Sequence, residues 1–155
     1  MNKNQNFIIR VYGLLINENK EILLTDEFAM DQRMTKFPGG GLEFGEGIED
    51  CMLREAIEEF GQEAEIIRHF YTTGFFQKAL FFENHQLISI YYLIKLKSNP
   101  VFKISDEPFD FPSLKNGNQS FRWASIANLR EESLTFPVDR FVLNLLKKEF
   151  AEDIS

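Results

Sequence analysis

The stretch that decides the fold runs from residue 39 to residue 61: GGGLEFGEGIEDCMLREAIEEFG. It opens on Gly39, Gly40 and Gly41, a break that no helix tolerates. Residues 48–60 then carry the spacing of an amphipathic helix, and Gly61 stands where glycine favours a left-handed C-terminal cap. The segment holds Glu43, Glu46, Glu49, Asp50, Glu55, Glu58 and Glu59, opposed only by Arg54. An acidic run is ordinarily a solvated helix face, and two features argue against that here. At ~100° per residue, with Ile48 at zero, Met52, Glu55 and Glu59 all fall within about 40° of it. Glu55 and Glu59 therefore share the stripe that should face the protein, and Glu58 lies one step to the side. Glu58 and Glu59 also occupy the last turn, at the negative end of the helix dipole, where an acid is disfavoured by roughly 0.3–1 kcal/mol. Three mutually repelling carboxylates placed there call for a cation. Oxygen-only ligands point to Mg²⁺, with Mn²⁺ as a substitute. Arg54 can pair with Glu58 one turn on or with Glu46 across the loop, orienting the acids without neutralising them all.

Outward from this stretch, residues 7–16 and 21–25 read as the two strands of a hairpin turning at Asn17-Glu18-Asn19-Lys20. Residues 26–36 are polar and read as loop. Residues 63–76 and 86–97 read as long strands with a turn at Asn84-His85. Residues 100–120 contain three prolines and read as a long loop. Phe121-Arg122-Trp123 suggests a short strand, residues 125–129 a helical turn, and residues 138–150 a closing amphipathic helix with Phe141, Val142, Leu145, Leu146 and Phe150 on one side. Strands on either side of a central helix, with a second helix at the end, predict an α+β fold with a mixed sheet between helices.

Composition narrows the function. A chain of 155 residues, 44% hydrophobic and 26% charged, reads as one globular unit spanning residues 1–155. The single cysteine, Cys51, excludes an internal disulfide, and with only two histidines a zinc cluster is not expected. A formal charge of −7 disfavours long nucleic acid but not a small phosphorylated ligand beside a bound cation. No run reaches the ~18 apolar residues of a membrane span, and residues 1–6 do not resemble a secretory leader, so a cytoplasmic enzyme is the expectation. The 17 phenylalanines read first as core. Phe75, Phe76, Phe81 and Phe82 are also candidates for a base-stacking surface or a homodimer contact.

Gly40, five residues, Glu46, seven residues, then Arg54-Glu55-Ala56-Ile57-Glu58-Glu59-Phe60-Gly61 resembles the Nudix box. The early hairpin, Phe37-Pro38 before the glycines, the late Trp123 and Phe136-Pro137 before the closing helix resemble the same family. Gln62, at a position usually aliphatic, departs from it, and a packing adjustment is expected there. The resemblance implies a Nudix-type α/β/α sandwich and a pyrophosphohydrolase. Glu55, Glu58 and Glu59 would bind the metal, with a carbonyl of Gly39 or Gly40, while Arg54 and Glu46 would hold the ligating carboxylates. Glu43, Glu49 and Asp50 are expected to be surface charges. The further carboxylate that some members carry before the late tryptophan is absent from Lys115-Asn116-Gly117-Asn118-Gln119-Ser120. Asp106, Glu107, Asp110, Glu83 or a box glutamate remain open as the base. The proline and tyrosine that mark ADP-ribose and diadenosine polyphosphate subgroups are missing around Gln77-Lys78-Ala79-Leu80, and no coenzyme A motif is evident. A nucleoside triphosphate is the favoured substrate, and a nucleotide sensor without turnover is the alternative. A loose Ca²⁺-binding acidic helix is the poorest reading, because the spacing matches no EF-hand loop.

Overall fold

A computed structural model describes residues 4–151. Seven strands, in chain order, are β1 (Asn6–Leu15), β2 (Glu21–Ala29), β3 (Gln32–Lys36), β4 (Gly39–Gly41), β5 (Ala64–Thr72), β6 (His85–Leu96) and β7 (Gln119–Ser125). Two helices, α1 (Ile48–Phe60) and α2 (Pro137–Leu146), complete the frame; α2 ends in a π-helical turn at Lys147–Ala151.

The strands form two sheets. One is mixed, in the order β4-β1-β6-β5, with β1 parallel to β6 and its other pairings antiparallel. The other is antiparallel, in the order β3-β2-β7. Strand alternation sends successive side chains to opposite faces, and the core divides accordingly. Val11, Leu15, Leu23, Ile90 and Ile94 pack towards α1 with Cys51, Met52, Ala56 and Phe60. Tyr12, Leu14, Ile22, Leu24, Tyr91 and Leu93 pack towards α2 with Val138, Val142, Leu143 and Leu146. The two helices thus cover opposite faces of the strand layer, as expected of an α/β/α sandwich.

Helix α1 has the predicted bounds, and Gly61 caps it at φ 68°, donating its N–H to the Ile57 carbonyl. Four other expectations need correction. β1 and β2 share no ladder among the described residues beyond an Ile16–Ile22 bridge at the turn; β2 belongs to the second sheet, where β3 and β7 satisfy its two edges. Residues 26–36 are a hairpin, not a loop. Met30 and Asp31 turn it with φ of 50° and 59°, the geometry of a two-residue turn that Asn-Gly usually fills. Its polar start hides a buried anchor: Asp26 accepts from Thr35 Oγ1 (2.6 Å), Arg122 Nε (2.7 Å) and the Phe109 amide (3.2 Å), tying β2 to β3, β7 and the long loop. β5 stops at Thr72; residues 77–79 turn back against residues 85–87. In α2, Leu143 rather than Leu145 is buried, and Phe141 lies at the surface, packed on Tyr71 and Phe75.

Gln62 does more than adjust packing. Its amide nitrogen donates to the Ser98 hydroxyl (3.1 Å) and the Asn99 carbonyl (3.1 Å), and its oxygen accepts the Val101 N–H (2.8 Å). An amide here stitches the end of α1 to the loop after β6, which an aliphatic side chain could not do.

Candidate active site

β4 carries the glycines across the N-terminal half of the site. Gly39, Gly40 and Gly41 pair with Tyr12, Val11 and Arg10. A Cβ on Gly40 would fall inside the Glu55 carboxylate, so the missing side chain lets that acid lie directly on the strand backbone.

Arg54 organises the acids. Its guanidinium donates to Glu46 through Nε (2.9 Å) and Nη2 (2.7 Å), to Glu55 (2.9 Å) and Glu58 (3.2 Å) through Nη1, and to the Gly41 carbonyl (3.1 Å). Both pairings expected for Arg54 therefore form together. The paired bond to Arg54 draws the Glu46 carboxyl down to about 2, and Glu46 in turn accepts the Glu43 N–H at 2.9 Å. Glu46 and Arg54 are thus one rigid unit clamped to the loop. Among the described residues no three acids already converge in ligating geometry, because Arg54 occupies the space between Glu55 and Glu58. Glu55 is largely covered, whereas Glu58 is exposed and free to swing.

Glu59 stands apart from Arg54. Its Oε2 is buried without a hydrogen-bond partner. Burial raises its carboxyl to about 7; nearby Lys36 and the Gly39 amide offset this in part, and Glu27 and Glu55 add to it. A desolvated carboxylate oxygen with no donor, beside a second carboxylate on a glycine strand, is a donor set suited to a hard divalent cation. Glu43 is exposed 3.7 Å from Arg54, in keeping with a surface charge.

Cys51 is buried behind this unit, with Sγ 3.6 Å from the Gly41 carbonyl and 3.7 Å from Arg54. Burial pushes its thiol up to about 12, with the Glu46 carboxylate adding to the shift. Native protein at neutral pH should therefore resist a thiol reagent, reacting at the rate of global unfolding; rapid labelling would show an accessible thiolate.

A pocket of about 250 Å³ has none of the box acids in its lining, but its Lys36 and Glu27 lie in the field of Glu59 and its Arg10 in that of Glu55. Its wall is apolar, with Met34, Leu80, Phe81 and Phe136. Phe81 stands edge-on to Phe136 at 6.0 Å. Its polar side is Arg10, Tyr12, Glu27 and Lys36. A second cavity, of about 340 Å³, between Asn6, Phe76, Lys78 and Gln86, shares no lining residue with the acids or with this pocket. Of the acids held open as a base, Asp110 is engaged by Lys103 at 3.4 Å. The extra acid that comes near Glu59 is Glu27, in the stretch read as loop. Its partner Lys36 was equally hidden there; the missed signal was the hairpin that puts both side chains on one face.

The NUDIX domain model matches residues 7–145. No curated protein matches the chain. Solved structures resemble it at low identity. The E. coli ORF135 protein is 18% identical, with a TM-score of 0.63, over 100% of this chain and 99% of that one. A MutT protein from Methanosarcina mazei Go1 is 20% identical, at 0.63, over 96% and 98%. A MutT NUDIX hydrolase from Burkholderia pseudomallei is 16% identical, at 0.66, over 89% and 96%. These likenesses establish the fold. The chain belongs to the Nudix family. That makes it a pyrophosphohydrolase of nucleoside diphosphate derivatives. No helix among the described residues is long and apolar enough to cross a membrane.

Proposed function

We propose that the protein hydrolyses a nucleoside triphosphate with Mg²⁺, releasing a nucleoside monophosphate and pyrophosphate. The observation that carries this reading is the buried, unpartnered Glu59 oxygen, in the field of Glu55 and of the Lys36 and Glu27 that line an aromatic-walled pocket. Glu55, Glu58 and Glu59 would hold the cation, with a carbonyl of Gly39 or Gly40. Mg²⁺, or Mn²⁺ in its place, supplies charge neutralisation and Lewis acidity at a phosphoryl oxygen. The chain's own residues do the positioning. Glu46 fixes Arg54, and Arg54 holds Glu55 and Glu58 until a cation takes them over. The apolar wall with Phe81 and Phe136 suits a base, excluding water from one side of the substrate. Water adds to one phosphorus, the bridging P–O bond breaks, and the electron pair leaves with the departing phosphate oxygen.

The test is a panel of nucleoside triphosphates and diphosphate derivatives incubated with Mg²⁺ or with chelator, reading pyrophosphate and phosphate. Cleavage of triphosphates that chelator abolishes is the expected result. Tight nucleotide binding without turnover would make the protein a sensor instead. The metal assignment has its own measurement. Calorimetric titration of Mn²⁺ into Glu58→Gln should show affinity at least ~10-fold weaker than wild type, because one of three carboxylate charges is gone. Equal affinity would remove Glu58 from the metal site.

A further inference from the structure

We infer that Arg10 and Lys36, both against the ring of Tyr12, form an anion subsite that grips the phosphate carried by the nucleoside, and that Glu27 occupies Lys36 until that phosphate arrives. This rests on the nucleotide reading above and adds the residues that would recognise the ester phosphate.

Lys36 is the unusual group. It is 4% exposed, yet it lines the pocket. A lysine ammonium has three N–H donors. The one ion pair this one makes among the described residues is with Glu27, at 3.5 Å. Its remaining polar surroundings are the face of Tyr12, 5.7 Å to the ring centroid, and the fields of Glu59, Asp139 and Arg10. A buried cation so thinly bonded is costly unless a second anion completes its shell. Arg10 lies over the same ring, also at 5.7 Å, with Nε donating to the Tyr12 hydroxyl at 3.3 Å. Two cations therefore sit against one buried tyrosine, in a pocket whose other wall is apolar.

Their place in the pocket selects the ligand. Arg10 feels Glu55, and Lys36 feels Glu59. The cations thus share a pocket with the apolar wall and lie in the field of the acids of the box. A nucleotide with its base on that wall and its reacting phosphorus at those acids must run its 5′-phosphate ester past Arg10 and Lys36. A neutral nucleoside offers them nothing. Glu27, joined to Lys36 across the same hairpin, is a built-in competitor for the anion.

The experiment uses metal-free wild-type protein in chelator. Its probes are the four common nucleoside 5′-monophosphates and their parent nucleosides, followed by calorimetry or fluorescence. The best monophosphate should bind wild type at least ~10-fold more tightly than its nucleoside, as a charge-assisted contact implies. Lys36→Met should erase that ratio while leaving nucleoside affinity within about twofold, and Lys36→Arg should restore most of it. Glu27→Gln should move the opposite way, tightening monophosphate by roughly three- to tenfold through release of Lys36. A structural role for the pair would not produce opposite signs. Because Lys36→Met leaves Glu27 unpaired, Glu27→Gln/Lys36→Met is measured alongside, and it should match Lys36→Met. A monophosphate-to-nucleoside ratio near one in wild type, or an unchanged ratio in Lys36→Met and in the double variant, overturns the subsite. If triphosphates are cleaved while these ratios stay flat, the subsite alone falls. If no diphosphate is cleaved, the hydrolytic reading falls, whatever the ratios.

Discussion

Replacing Glu59 with glutamine should lower turnover at least ~100-fold and leave the fold intact, a loss of ~2.7 kcal/mol or more of transition-state stabilisation. Glutamine keeps the shape of the side chain and removes one charge from the proposed metal cage. Stability should respond in the other direction. Without metal, wild type carries a buried carboxylate oxygen that no donor reaches, near Glu27 and Glu55 at the negative end of α1. The neutral variant is relieved of that repulsion, so its melting temperature in chelator should equal or exceed that of wild type. Added Mg²⁺ should reverse the order, because a ligand that binds only the native state stabilises it by mass action, and the variant binds less of it. Both measurements are needed. Lost turnover with a lower melting temperature in chelator would mean that glutamine damaged the packing. Undiminished turnover would place the catalytic charge elsewhere.

The opposed effects of that one substitution reflect a site built on unfavourable local choices. α1 has acids in its last turn and no base there. Gly40 is needed because Glu55 occupies the space of its side chain. Lys36 is buried with one ion pair. Each conflicts with what stability alone would select, and they meet at one end of α1. Such concentration of local strain is the pattern expected of a functional site.

How far this was legible from sequence depends on the range of the interaction involved. α1 was readable to the residue, because helix periodicity and a capping glycine are local signals. The covered positions of Glu55 and Glu59 followed from the same periodicity. The division of strands between two sheets was not readable. β1 and β2 look like a hairpin in sequence, and only the pairing of β2 with β7, a hundred residues later, removes β2 from the first sheet. The 26–36 hairpin was lost for two reasons: its turn is Met30-Asp31 without glycine, and buried Asp26 makes its first strand look polar. With it went Glu27 and Lys36, the two charges that complete the pocket. Asp139 was overlooked for a related reason, as a polar residue on a helix expected to be apolar inside.

Asp139 supports the second large prediction, which concerns pH. It is the third residue of α2, 1% exposed, and it accepts the Tyr91 hydroxyl at 2.5 Å while its Oδ2 has no partner. Burial lifts its carboxyl to about 6; the Tyr91 bond, Lys36, the Phe37 amide and Arg10 pull it back in part. Tyr12 and Tyr91, both buried, add no charge at neutral pH. The folded protein therefore holds this proton more tightly than the unfolded chain. The resulting stability is complete below pH ~3.8, the ordinary aspartate value, and is lost as pH rises through about 6. The shift corresponds to roughly 3 kcal/mol across that window. Asp139→Asn keeps an acceptor for Tyr91 and has no proton to lose. Its stability relative to wild type should be near zero at pH 4 and should rise by up to ~3 kcal/mol by pH 8. Denaturant unfolding of both proteins at each pH isolates the difference, because Glu59 and the other titrating groups are common to the two. Tyr91→Phe, which removes the hydroxyl donor to Asp139 while keeping the ring, should shift the wild-type midpoint upward. A wild-type-minus-Asn difference that stays constant from pH 4 to pH 8 would mean that Asp139 titrates alike in the folded and the unfolded chain.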